Sequence, residues 1–329
     1  MATLAEFTLR DLIPPGLPDG RELVARGNVI AESLTTQPST FCRNRGFTNE
    51  LDYKLAMAQA GRTMTALTIG LQDWRSTVNG LRHIISRCAD RGFEVDRFIL
   101  ALDRRMGLPA EMRLAAIKET GPLLLDDEWT EVAQAVDIQP HMGDMMIGSP
   151  ASVDNTCRAL AAGVNYIGNL SQFAWRYPGW PGSDAEQMAE VVTALGVMAG
   201  KRHDGAVVHS YLDDGFPAQF TDYASYIGWA MLERHIVERL IGAQLGHAYG
   251  GLSHNGATKM SVTIALESLR PASVCSSFYY TNTTHYSTDT TRNFGVLTLD
   301  ALHLMLVDRR LRAGAAIMPV PVPEAVRVP

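Results

Sequence analysis

The stretch GAVVHSYLDDGFPAQF, Gly205 to Phe220, places His209 at the end of an apolar run and follows it with Asp213 and Asp214. An imidazole and two carboxylates beside a buried strand are costly to desolvate unless they are paired or used. Their types suit proton transfer, since imidazole titrates near neutrality and a carboxylate can orient it or exchange protons with it. A polar loop after a core strand explains the same residues without any chemistry.

Similar groups end other short apolar or β-branched runs. Arg43, Asn44 and Arg45 follow STFCR, Gln72 and Asp73 follow MTALTIGL, and Asp103, Arg104 and Arg105 follow RFILALD. His141 and Asp144 come after AVDIQPH, Asn169 and Gln172 after VNYIGN, His247 and Tyr249 within LGHAYG, and Asn282 and His285 after SSFYYTN. Any one of these is ordinary for a loop; together they point to one polar rim. Two chemistries fit it. Asp103, His141, His209 and His247 could ligate a divalent metal, although no HxH or HExxH sets two ligands on one element. Alternatively, His209, Asp213, His247 and Tyr249 would handle protons and polar groups. Arg43, Arg45, Asp103, His141 and His285 would then bind a small carboxylate substrate, with the guanidinium forks matching the carboxylate. A barrel serving only as a scaffold is the non-enzymatic alternative. Phe173, Trp175, Tyr177 and Trp180 would give it a contact patch, or give an enzyme a lid.

To gather such groups on one rim, the runs must be strands of a single sheet. Eight runs are separated by segments with helical apolar spacing, such as ELDYKLAMAQAG and TVNGLRHIISRCADRG. Ser183 with Glu186 makes a capping-box pattern, Thr48 can cap another helix, and Gly61, Gly92, Gly163 and Gly200 stand where helices should stop. Alternation of this kind predicts an α/β fold, a (β/α)8 TIM-like barrel with its chemistry at the C-terminal strand ends. An open doubly wound sheet is the rival; no GxGxxG or GxxxxGK[ST] supports its nucleotide-binding forms. Residues 1–35 are expected to form an N-terminal arm and helix, 36–315 the barrel, and 316–329 a Pro-rich extended tail.

Composition narrows the partners. The 46% hydrophobic content supports a large core, and a formal charge of −6 argues against nucleic acid. Cys42, Cys88, Cys157 and Cys275 have no CxxC spacing, and no apolar run reaches the length of a membrane span. A cytoplasmic homo-oligomer without membrane contact is expected.

The order AAGVNYIGN, GAVVHSYLDDGFP, LIGAQLGHAYGG resembles the later strands of the large barrel subunit of adenosylcobalamin-dependent glutamate mutase, also called methylaspartate mutase. The likeness covers roughly residues 145–255, with a fainter echo in QPSTFCRNRGFTNE. It implies a TIM barrel whose mouth faces a separate corrinoid-carrying subunit and a radical rearrangement of a carbon skeleton. Arg43 or Arg45 would belong to the carboxylate clamp, His209 would lie near the corrin, and Gly168, Asn169 and Gln172 would line the corrin-facing loop. The chain has no DxHxxG motif, so a second polypeptide would supply the lower cobalt ligand. The family's glutamate is missing from TALTIGLQDW, and His247 and Tyr249 stand where its lysine is expected, which implies a substrate other than glutamate.

Overall fold

A computed structural model describes residues 13–172, 176–250, 255–281 and 287–319. The elements run α1 (Gly20–Ser33), α2 (Thr40–Asn44), α3 (Glu50–Gln59), β1 (Met64–Ile69), α4 (Trp74–Ala89), β2 (Arg97–Leu100), α5 (Ala110–Arg113) and α6 (Asp126–Glu131). They continue through β3 (Gln139–His141), α7 (Ser152–Ala162), β4 (Tyr166–Ile167), α8 (Asp184–Gly200), β5 (Val207–Tyr211) and α9 (Tyr223–Arg234). Then come β6 (Leu245–Tyr249), α10 (Gly256–Ser268), β7 (Phe278–Thr281), α11 (Thr290–Leu311) and β8 (Ala316–Pro319).

All strand pairs are parallel, in the order β3-β2-β1-β8-β7-β6-β5-β4. The two ends meet where Met142 bridges Ile167; Met142 N donates to Tyr166 O and Gly168 N to Met142 O. The expected TIM-like barrel is therefore present, nearly closed and sealed by one short bridge.

One of the eight expected strands is not a strand, and one strand stands where the sequence reads as tail. STFCR is not a strand: Ser39 Oγ accepts from Cys42 N and caps the helix α2, which buries Phe41 and Cys42 under the barrel. The cap diverts β-branched Thr40 and aromatic Phe41 into a helical turn, because a side-chain acceptor satisfies an orphan N–H that a strand would have to pair. The eighth strand is β8, whose Ala316–Pro319 were read as the start of the tail; they pair with β1 and β7. The rest of that tail, residues 320–329, lies outside the described residues.

Helix α3 follows α2 beneath the sheet, so the N-terminal end of the barrel is plugged by side chains of α2 and α3. Asn49 caps α3, and Glu50 and Lys54, one turn apart, are both buried. Helix α1 packs along α8 at a close approach of Gly27 and Gly196, where a Cβ on Gly27 would lie 2.7 Å from the Gly196 backbone. Covered on its outer side as well, α8 is buried throughout Thr193–Ala199, and the Ser183–Glu186 capping box starts it.

Strand alternation decides which groups reach the barrel axis. On β5, His209 packs against Phe278 and Tyr211 against Tyr280, while Ser210 points outward to Glu233 of α9. On β6, His247 and Tyr249 both point outward, leaving Gly246 and Ala248 toward the axis. Among the described residues no helix is long and apolar enough to cross a membrane.

Candidate active site at the barrel mouth

A buried polar column rises along the barrel axis. At its base Arg97, the first residue of β2, pairs with Glu50 at 2.7 Å, and its Nη1 donates to Ser277 O at 2.6 Å. Lys54 Nζ donates to Ser276 O and Ser277 O at 2.7 and 2.9 Å. Burial, reinforced by Arg97 and opposed by Glu50, pulls the Lys54 ammonium down to about 7. Burial also raises the Glu50 carboxyl, with Arg97 and Lys54 working against it.

Above this base stand two imidazoles. Arg97 Nη2 lies 3.1 Å from His141 Nδ1, and Ser277 Oγ lies 3.0 Å from His209 Nδ1. The rings meet edge to face with centroids 4.4 Å apart, and Phe278 stacks on His209 at 5.2 Å. Burial holds the pKa of each well below the ordinary histidine value, with His209 and Arg97 adding to the effect at His141, and Arg97 and His247 at His209. Both are therefore neutral near pH 7.

The mouth opens over β2 to β5 as a cavity of about 320 Å³ lined by Arg104, Glu119, Asp144, Met145, Arg176 and Asp214, among others. These residues sit on the loops that follow the strands, where barrel chemistry is carried. Protein around Asp144, and secondarily the Asp214 charge, push its carboxyl up to about 6, although solvent still reaches it through the opening. Asn169 fixes the second carboxylate: its Nδ2 donates to Asp214 Oδ2 at 3.1 Å, while its Oδ1 accepts from Ser171 and from Tyr211 N. Arg104 forks onto Glu119. Arg176 is exposed, donates to Gly182 O and lies 4.0 Å from Asp184.

The residues singled out in the sequence separate into three groups. His209 and His141 come together on the axis, and Gly168 packs against His209. His247, Tyr249 and Asp213 face the helices instead. Glu233 accepts from His247, Ser210 and Trp229, Glu267 accepts from Tyr249 and Tyr279, and Asp213 accepts from Tyr226. His247 and Tyr249 thus share the outward face of β6, and Asp213, past the end of β5, turns to Tyr226 of α9, so none of the three stands beside His209 on the axis.

Arg43 and Arg45 lie at the opposite end of the barrel. Arg43 donates to Pro38 O and Gln134, and Arg45 pairs with Glu94 and Asp137, which precede β2 and β3. They cannot clamp a substrate at the mouth. Asp103 stands at the correct end but is committed, binding Arg105 through two side-chain contacts and accepting from the backbone N–H of Arg105 and Glu119. Burial opposes its charge, yet these donors hold the carboxyl below its ordinary range. His285 lies outside the described residues, as do Asn282, Phe173 and Trp175; of Gln172 only the backbone is described. Asn169 ties its own loop to β5, with Oδ1 on Ser171 and Tyr211 N and Nδ2 on Asp214.

Among the described residues no three His, Cys, Asp or Glu side chains converge to hold a metal ion. The set Asp103, His141, His209 and His247 does not meet at one point. Glu50, Lys54 and Arg97 were not legible as site residues, although a period-two reading of RFIL puts Arg97 on the same face as inward Ile99.

No family model matches the chain, and no curated protein does. Among solved structures it aligns with Xanthomonas albilineans dihydropteroate synthase at 16% identity and a TM-score of 0.44, covering 80% of this chain and 90% of that one. A Yersinia pestis dihydropteroate synthase aligns at 13% identity and a TM-score of 0.42, over 88% and 95% of the two chains. The carboxyl transferase domain of Rhizobium etli pyruvate carboxylase aligns at 11% and 0.39, over 92% and 50%. These values carry no argument about activity.

The resemblance to glutamate mutase is not borne out: these solved structures are dihydropteroate synthases and a carboxyl transferase domain, not that mutase. The arginine-bearing segment offered as a strand end in that resemblance is the helix α2 under the barrel floor. The corrinoid, its carrier subunit and the radical rearrangement follow from that resemblance alone, and no residue of the mouth argues for them independently. What stands is a parallel eight-stranded barrel, with a carboxylate pair at its mouth and a neutral imidazole pair below.

Proposed function

We propose that the protein is an enzyme performing general acid–base catalysis on a small polar organic molecule held in the barrel mouth. The observation that carries this reading is the carboxylate pair Asp144 and Asp214 lining one cavity at the strand ends, where burial and the like charge of Asp214 push the Asp144 carboxyl upward. A carboxyl poised near neutrality can give up and recover a proton at working pH. Arg176, exposed at the rim, supports a substrate bearing an anionic group such as a carboxylate.

The experiment is a proton-exchange screen: small carboxylates and carbonyl compounds are incubated with the protein in deuterium oxide and followed by proton NMR. The expected result is exchange at a carbon-bound hydrogen of at least one compound, lost in Asp144→Asn. Exchange that survives this substitution, or none in any compound, overturns the reading.

A further inference from the structure

His141 Nε2 is buried and has no hydrogen-bond partner among the described residues. A buried polar atom left unsatisfied costs on the order of 1–3 kcal/mol, so its presence calls for an occupant. The identity of the free atom follows from its neighbour. Arginine has donors only, so His141 Nδ1 must accept from Arg97, and the neutral ring carries its proton on Nε2. Both imidazoles aim at the same place. A side chain on Gly143, had it one, would put its Cβ 3.3 Å from His141 Nε2 and 3.5 Å from His209 Nε2. The Gly143 backbone needs no left-handed conformation, so the absent side chain matters here for space and not for backbone freedom.

We infer that His141 Nε2–H is a hydrogen-bond donor for a carbonyl or carboxylate oxygen of the substrate, seated over Gly143 beside His209 Nε2. This deepens the acid–base reading and rests on it for its catalytic use. In that use the carboxylate at the mouth removes a proton from the carbon next to the carbonyl. The C–H electron pair forms the carbon–carbon double bond of an enolate, and the carbonyl π pair moves onto oxygen, where the His141 N–H receives it. Return of the proton to carbon completes a redox-neutral cycle with no co-reactant. A neutral imidazole suits this position because it donates without first binding an anion as an ion pair. His141 is fully buried, so the oxygen arrives as part of a ligand entering past Gly143 and Asp144.

The test is side-chain nitrogen–proton NMR of the histidines in the full chain, titrated with oxalate, a planar dianion that imitates an enolate. His141 is assigned by its loss in His141→Phe or, should that variant misfold, by its contacts with Phe278, whose ring lies 5.3 Å away. The expected result is an Nε2–H tautomer between about pH 6 and about pH 8, with an Hε2 resonance that moves saturably with oxalate. Gly143→Ala, which crowds His141 Nε2 at 3.3 Å and whose fold is checked by its unfolding midpoint, should weaken oxalate by about tenfold or more, the loss of one hydrogen bond to a charged group. An Nδ1–H tautomer, a resonance indifferent to oxalate with a persistent water cross-peak, or full affinity in Gly143→Ala overturns the inference. Asp144→Asn separates the two proposals: it should abolish exchange while keeping the oxalate-induced shift. If no compound exchanges but the shift is present, the acid–base reading fails and the His141 oxygen site stands.

Discussion

His141 and His209 meet edge to face on the barrel axis, their ring centroids 4.4 Å apart and their planes at 83°. Both are kept neutral by burial, with Arg97 adding to the effect at each. The unfolded chain therefore takes up protons below about pH 6.5 that the folded chain refuses, and each imidazole lowers stability as pH falls through that value. Replacing His209 with Phe should flatten the loss measured by denaturant titration between about pH 6.5 and about pH 5. An unchanged slope would show that His209 is protonated in the folded state.

On the proposed acid–base reading, Asp144 and Asp214 set the pH response of exchange. As a base, Asp144 works when ionised, so exchange should rise with pH through about 6. Asp214→Asn removes the like charge that helps hold the Asp144 pKa up, and the rising limb should move to lower pH. Asp144→Asn should lower the rate by about 100-fold or more. A limb that does not move in Asp214→Asn would break the coupling argued here.

His247 belongs to the packing between β6 and α9 through its contact with Glu233 at 3.0 Å. His247→Gln should cost about 1–3 kcal/mol of stability by denaturant unfolding and leave exchange per folded molecule unchanged. A fall in turnover without a loss of stability would return His247 to the active site.

Arg43 and Arg45 are surface groups of the barrel floor. Alanine at either should leave turnover unchanged, and at exposed Arg43, which hydrogen-bonds Pro38 O and Gln134, should shift stability by less than about 1.5 kcal/mol. A rise in KM in either variant would contradict their placement.

Asp308, at the end of α11, accepts from Ala315 N at 3.0 Å and turns the chain into β8. Burial raises its carboxyl to about 7, against the help of that N–H. A raised carboxyl makes the folded state bind more protons than the unfolded chain, so this residue costs stability above about pH 7 and the cost fades as pH falls toward about 4. Asp308→Asn keeps an acceptor without the charge and should stabilise the protein by about 1–3 kcal/mol at about pH 8, with the gain shrinking at about pH 5. Equal gains at both values would show that Asp308 is not raised.

Local pattern alone determined the alternation of strands and helices, the Ser183–Glu186 cap, and the arrival of His141 and His209 at the end of their strands or close to it. These follow from periodicity and capping, which act within one turn or one strand and so leave their mark on neighbouring residues. Tertiary structure decided the rest. Helix α2 forms where STFCR reads as a strand because its cap and the barrel floor reward a helix there, and β8 is a strand because β1 and β7 flank it. Face was decided in the same way: His209 turns inward and His247 outward because neighbouring strands fix the register, Val208 opposite Leu245 and His209 opposite Gly246. A chain read one residue at a time shows that a histidine ends a strand. Only the closed sheet and the helices packed on it determine whether that histidine meets Glu233 or another histidine across the axis.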